Sequence, residues 1–235
     1  MAKTYCISDI HGEYEQYISL LKKINFNDSD TLYIIGDAID RGKNSVKLLQ
    51  DMMLRPNVIP LIGNYEYMAI HCLRFLMSEI TEESISKLDE NMIQGLLEWQ
   101  TVGGQTTIDE FHRLSYEEKQ DIMEYLEDFS LYEEVSCADQ EFVLVHAGLD
   151  HFSKSKPLDD YKPYEILFHA PDYPQVYFND KLLVTGHLPT SAIEGNTKPN
   201  YIYKANNHIA IDCGCVFGGR LGAICLDTWE AFYSA

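Results

Sequence analysis

The chain has 235 residues, 46% of them hydrophobic, enough apolar material for a substantial core and too much for global disorder. Its formal net charge is −19, so the surface repels phosphate backbones and a nucleic-acid polymer is excluded as the default partner. Small phosphorylated molecules stay open, because bound cations reverse such a field locally.

The six cysteines, Cys6, Cys72, Cys137, Cys213, Cys215 and Cys225, form no C-x-x-C pair. The opening Met-Ala-Lys-Thr-Tyr lacks the apolar core of a signal peptide, and no window approaches the ~18 apolar residues of a membrane span. A cytoplasmic protein with reduced thiols and no membrane partner is expected.

Residues 3–8 read as a strand, after which Tyr14, Tyr17, Ile18, Leu21 and Ile24 recur at helical spacing. Thr31–Ile35 is a buried-strand run, and Val46, Leu49, Met52 and Met53 fit a helix. Residues 58–62 predict a third strand, followed by a helix carrying Met68, Cys72, Phe75 and Leu76. This alternation argues for βαβ units and a mainly parallel sheet. From about 79 to 128 the chain reads as helical, with a capping box at Ser115-Tyr116-Glu117-Glu118. Glu82-Glu83 and the acidic helices here read as a solvated face. Strands return at 142–145, 182–185, 209–211 and 221–226, and residues 153–163 and 194–200 read as loops. Without a repeat or a convincing linker, one domain spanning 1–235 is expected.

Polar motifs follow the strands. Ser8-Asp9-Ile10-His11-Gly12 follows the first, Gly36-Asp37-Ala38-Ile39-Asp40-Arg41-Gly42 the second, and Gly63-Asn64-Tyr65-Glu66 the third. His146-Ala147-Gly148 and Gly186-His187 close two later strands. Ligands gather at the carboxyl ends of strands in open α/β sheets, so Asp9, His11, Asp37, Asn64, His146 and His187 can converge on one edge. Asp9 and His11, two apart, can share one ion, and Asp37 has two oxygens with which to bridge two. Carboxylate, amide and imidazole donors without thiolate suit two divalent cations, manganese first, with iron or zinc as alternatives. Such a pair can hold a phosphate and lower the pKa of a bridging water for in-line attack.

Taken singly, Asp9 or Asp37 reads as a helix cap or turn residue, and His146 or His187 as a core histidine. A lone D-x-H-G arises by chance in roughly 2% of chains this long, whereas G-D-x-x-D-R-G arises in on the order of one in several thousand. The ordered combination therefore carries the argument.

That combination resembles the phosphoprotein-phosphatase branch of the calcineurin-like metallophosphoesterases, including bacterial and phage Ser/Thr protein phosphatases and symmetrical diadenosine-tetraphosphate hydrolases. The likeness runs from Tyr5 to about Asp227 and includes Trp99, Gly103, Gly104 and Thr106, and the closing Ile211-Asp212-Cys213-Gly214-Cys215-Val216-Phe217-Gly218-Gly219-Arg220. It implies an α/β, four-layer αββα sandwich of two mixed sheets flanked by helices. It also implies a bridging role for Asp37, phosphate binding by Arg41, and an orienting role for Asp40 beside the general acid.

Three features depart from the resemblance. Tyr65 stands where the pattern has its general-acid His, Val102 stands where it has Asn, and no Arg lies between His146 and His187. Tyr65 can donate a proton but is the weaker acid, and Lys154, Lys156, Lys162 or Lys181 are candidate substitutes for the missing Arg. His169 is a second candidate acid or phosphate contact. His71, on the apolar side of its helix, and His112, His151 and His208 read as structural, and Cys213 and Cys215 as packing residues.

The leading expectation is a phosphomonoesterase of the Ser/Thr protein phosphatase type, with metal-held hydroxide attacking phosphorus directly. The alternatives are a dinucleoside polyphosphate hydrolase, and a weakly active or inactive metal-binding pseudophosphatase in which Tyr65 has replaced the acid. The expected partner is a phosphorylated protein or a small nucleotide phosphate.

Overall fold

The structure, a computed structural model, describes residues 2–77 and 90–234. The Glu82-Glu83 run lies outside the described residues. The first half builds β1 (Thr4–Ile7), α1 (Tyr14–Ile24), β2 (Thr31–Ile35), α2 (Ser45–Met53), β3 (Val58–Leu61) and α3 (Asn64–Leu76). Strands β1, β2 and β3 pair in parallel, as the strand–helix alternation predicts. Helices α4 (Glu90–Trp99), α5 (Gln105–Phe111) and α6 (Tyr116–Glu127) follow. The predicted box starts α6: Ser115 Oγ accepts the Glu118 N–H at 3.3 Å while the Glu118 carboxylate accepts the Ser115 N–H at 2.8 Å.

The second half contributes β4 (Tyr132–Cys137), β5 (Gln140–Val145), α7 (Pro163–Leu167), β6 (Lys181–Thr185), β7 (Tyr203–Ala205), β8 (His208–Ala210), β9 (Gly222–Cys225) and β10 (Ala231–Tyr233). Two five-stranded mixed sheets result, ordered β10-β9-β1-β2-β3 and β4-β5-β6-β8-β7. Alternation along the strands explains the layers. Cys6, Ile35 and Leu61 from the first sheet pack with Phe142, Leu144, Leu182, Val184 and Ile209 from the second in one inter-sheet core. Their neighbours Tyr5, Ile7, Leu32, Ile34, Val143 and Val145 turn outward into the core shared with the helices. Burial on both faces is why these strands read as continuous apolar runs.

No helix among the described residues is long and apolar enough to cross a membrane. The chain passes between sheets so that the loops after β1, β2, β3, β5 and β6 meet at one edge. There the backbones of the first two loops run side by side: Asp9 N–H donates to Gly36 O, His11 N–H to Asp37 O, and Gly12 N–H to Ala38 O, at 3.1, 2.9 and 2.7 Å.

Candidate metal centre

Asp9, His11 and Asp37 present ligand atoms within 4.8 Å of one another, and Asp37, His146 and His187 form a second such group. Asp37 belongs to both. Asn64 joins the second: its Oδ1 lies 2.9 Å from His146 Nε2 and 3.2 Å from His187 Nδ1. The six residues expected as ligands thus lie together, although Asn64 and His187 are 123 positions apart.

Backbone carbonyls aim the imidazoles. His11 Nδ1 bonds Ile39 O at 2.9 Å and His146 Nδ1 bonds Ile35 O at 3.0 Å, which leaves each Nε2 facing Asp37, at 3.7 and 3.4 Å. Burial, followed by the Arg41 charge, lowers His11 to a pKa of about 3 and His187 to about 4; burial chiefly lowers His146 well below the ordinary value. The rings are therefore neutral at pH 7 and present lone pairs. His146 Nε2 and His187 Nδ1 are 3.2 Å apart, with the Asn64 oxygen against both. Converging acceptors with no proton between them fit a cation.

The carboxylates make the same point. Asp9 is raised well above its ordinary range by burial and then by Asp212, and Asp37 by burial and then by Asp9 and Glu66. Asp212, pushed up to about 6 by burial, is itself only 3% exposed. Clustered carboxylates in a dry site repel unless positive charge lies among them. The donor set and its electrostatics fit divalent metal ions.

Backbone conformation adds a constraint. Asp9, His11, Asp37 and His187 have φ of 51°, 49°, 54° and 68°, and Asp40 and Arg41 follow at 71° and 65°. These left-handed values are uncommon outside glycine and concentrate where loops must present side chains rather than continue a strand. Gly63 is required for a different reason: a Cβ there would collide with the Asp37 carboxylate and backbone.

Glu66 and Asp212 are parts of the centre that spacing did not single out. Glu66 is fully buried, and its carboxylate accepts the N–H groups of Gly63, Asp37, Ala38 and Ile39 at 2.7–3.2 Å. Its signal was the last position of Gly63-Asn64-Tyr65-Glu66. Asp212, visible only as a member of the closing motif, accepts the Gly214 N–H at 2.8 Å.

Asp40 lies close behind the site but bonds elsewhere. Its oxygens accept from Trp99 Nε1 at 2.6 Å and Thr107 Oγ1 at 2.5 Å, and burial raises its carboxyl to about 7. It fastens the α4–α5 corner to the centre, with Arg41 N–H donating to Gly103 O at 3.0 Å. Tyr65 is 5% exposed, and its ring meets His11 edge-on at 5.0 Å. The Tyr65 hydroxyl accepts from Arg41 Nη2 and donates to Val102 O at 3.4 Å. Burial raises its pKa further from neutrality, although Arg41 opposes this.

Among the candidate replacements for the missing Arg, Lys156 pairs with Glu165 at 2.8 Å and Lys181 with Glu134. Lys154 and Lys162 are exposed, and among the described residues none of the four bonds to the centre. His169 stands near the rim, 57% exposed at its side chain, 3.8 Å from Asp150, and its charge contributes to the lowering of His187. His71 is exposed rather than on the apolar side of α3, which Ala69, Ile70, Cys72 and Leu73 occupy, and its Nδ1 bonds back to Tyr67 O at 2.7 Å. His112 and His151 are exposed as well, while His208, Cys213 and Cys215 are buried.

A family model described as calcineurin-like phosphoesterase matches residues 2–219. An asymmetrical bis(5'-nucleosyl)-tetraphosphatase, PrpE, of Halalkalibacterium halodurans is 26% identical over 246 residues, covering 93% of this chain and 87% of that protein. A symmetrical bis(5'-nucleosyl)-tetraphosphatase of Buchnera aphidicola is 43% identical over 72 residues, which span 29% of this chain and only 26% of that protein. The solved structure of a candidate diadenosine tetraphosphatase superposes with a TM-score of 0.67 at 17% identity, covering 98% of this chain and 92% of that one. The two-sheet, helix-flanked fold is therefore shared.

Proposed function

This chain belongs to the calcineurin-like phosphoesterase family of metal-dependent phosphoric-ester hydrolases, and we propose that it cleaves phosphoanhydride bonds in dinucleoside polyphosphates. The observation that carries this reading is the engagement of Tyr65. Its hydroxyl is held by Arg41 and turned toward the Val102 carbonyl, so no proton there is aimed at a leaving group. A serine alkoxide needs such a proton, whereas a nucleoside phosphate leaves as a stable anion. Near full-length likeness to an asymmetrical tetraphosphatase supports the same substrate class over the phosphoprotein expected from the Asp40-Arg41-Gly42 pattern.

In this reading Asp9, His11 and Asp37 hold one divalent cation, and Asp37, Asn64, His146 and His187 the second. Manganese suits these donors best, with iron or zinc as alternatives. When bound, the cations supply Lewis-acid polarisation of phosphoryl oxygens and a water acidic enough to attack at neutral pH. The chain supplies the rest. Glu66 fixes the 37–39 backbone, and the carbonyls of Ile35 and Ile39 set the imidazole orientations. Arg41, its guanidinium 4.8 Å from the centroids of both Tyr65 and Phe217, is held ready for a substrate phosphate oxygen. All six cysteines are buried and unpaired, which suits a reducing cytoplasm.

Parallel turnover of diadenosine tetraphosphate and a phosphoserine peptide by manganese-loaded protein tests the assignment. Preference for the dinucleotide is expected, with loss of activity in Asp37→Asn. Preference for the peptide would return the assignment to a protein phosphatase.

A further inference from the structure

We propose that Phe217 is a stacking platform for the aromatic base of the substrate, set beside the phosphate-binding edge of the metal centre. The inference rests on the anhydride reading for the nature of the ligand, but its own evidence is local. Phe217 is a large apolar side chain left 63% exposed. It ends a single helical turn, Cys215–Phe217, flanked by Gly214 and Gly218 at φ 72° and 80°. Cys215, two positions earlier, anchors that turn by its burial while the phenyl ring is held outward. What sets Phe217 apart from the other exposed apolar side chains is the Arg41 guanidinium over its ring.

The ring is tied to the centre by one residue. The Arg41 guanidinium carbon sits 4.8 Å from the Phe217 centroid and 4.8 Å from that of Tyr65, whose ring in turn meets His11 edge-on at 5.0 Å. A phosphate gripped by Arg41 therefore places the next portion of its own molecule near Phe217. Val102, whose carbonyl accepts from the same Tyr65 hydroxyl, adds a second exposed apolar residue at 44%. In a chain of net charge −19, a polyphosphate finds attraction at the cation-holding centre and little elsewhere. A flat base suits the exposed aromatic surface of Phe217 beside Arg41, and it stacks there whichever base it is.

The test is equilibrium binding by titration calorimetry of manganese-loaded protein, with two probes that resist hydrolysis. One is β,γ-methylene ATP, and the other is methylenediphosphonate, which has no base. Wild type is expected to bind the nucleotide more tightly. Phe217→Ala and Phe217→Leu should each lose about tenfold in the ratio of the two affinities, and Phe217→Trp should retain it. The Leu variant separates stacking from simple apolar bulk, and melting curves on each variant confirm that it is folded. Equal loss for both probes, full retention by Leu, or no preference in wild type would each overturn the platform. Failure of the substrate reading looks different: wild type would bind the nucleotide through Phe217 yet leave diadenosine tetraphosphate intact.

Discussion

Glu66 is fully buried, and four backbone N–H groups depend on its carboxylate. In Glu66→Gln one oxygen becomes a donor facing other donors. Leaving buried N–H groups unsatisfied costs about 1–3 kcal/mol, so calorimetry should show a melting temperature lower by roughly 3–10 °C. Tyr65 poses the opposite case, a residue whose replacement should add function. Tyr65→His removes the Arg41 contact and supplies a group that titrates in the working range. Turnover of a phosphoserine peptide should rise at least about tenfold at unchanged metal content, while anhydride turnover shifts less. No gain would mean that the restored imidazole is not oriented, since the Asp40 oxygens are already taken by Trp99 and Thr107.

At the level of elements, the centre depends on how closely loops approach. Gly63 joins β3 to α3 and leaves no space for a side chain beside Asp37. Gly63→Ala should displace the Asp37 carboxylate and lower activity by about 10²-fold, the usual consequence of a misplacement near 1 Å. Elemental analysis should show the accompanying loss of metal, with the far-ultraviolet spectrum unchanged. The strands that lie in the middle of the sandwich were readable from composition: Thr31–Ile35 is β2 residue for residue. Strand β4 was not, because Glu133, Glu134 and Ser136 interrupt its apolar pattern, as befits a sheet edge. Strands β7 and β10 are only three residues each, too short to show a period. The candidate ligands were visible as motif positions after strands. The groups that aim them were not, because Ile35 and Ile39 act through carbonyls that every residue type carries.

For the molecule as a whole, an acidic chain built around Asp9, Asp37 and Asp212 should be markedly sensitive to chelation. A ligand at 100 times its Kd adds about 2.7 kcal/mol, so manganese should raise the melting temperature and EDTA should reverse the gain. Acid sensitivity has a second source, where β8 meets β6 just before the His187 loop. His208 is 2% exposed, stacks on Tyr173 at 5.0 Å, shares a hydrogen bond with Thr185, and is lowered to about 4 by burial. Between its unfolded pKa of roughly 6.5 and that value, the unfolded chain binds the proton and the folded chain does not. Its stabilisation is thus complete above pH 6.5 and declines as pH falls toward 4, by up to about 3 kcal/mol. Urea titrations of wild type and His208→Gln in EDTA from pH 7.5 to 4.5 should converge as pH falls.

The left-handed backbone at Asp9, His11, Asp37 and His187 has an evolutionary corollary. Glycine would relax each of these positions, and at Asp9 and Asp37 it would also remove a buried carboxylate. A mutant library sorted for heat resistance in chelator should therefore enrich changes at the very positions that a library sorted for turnover would forbid. Durability and activity would select different sequences on the same scaffold.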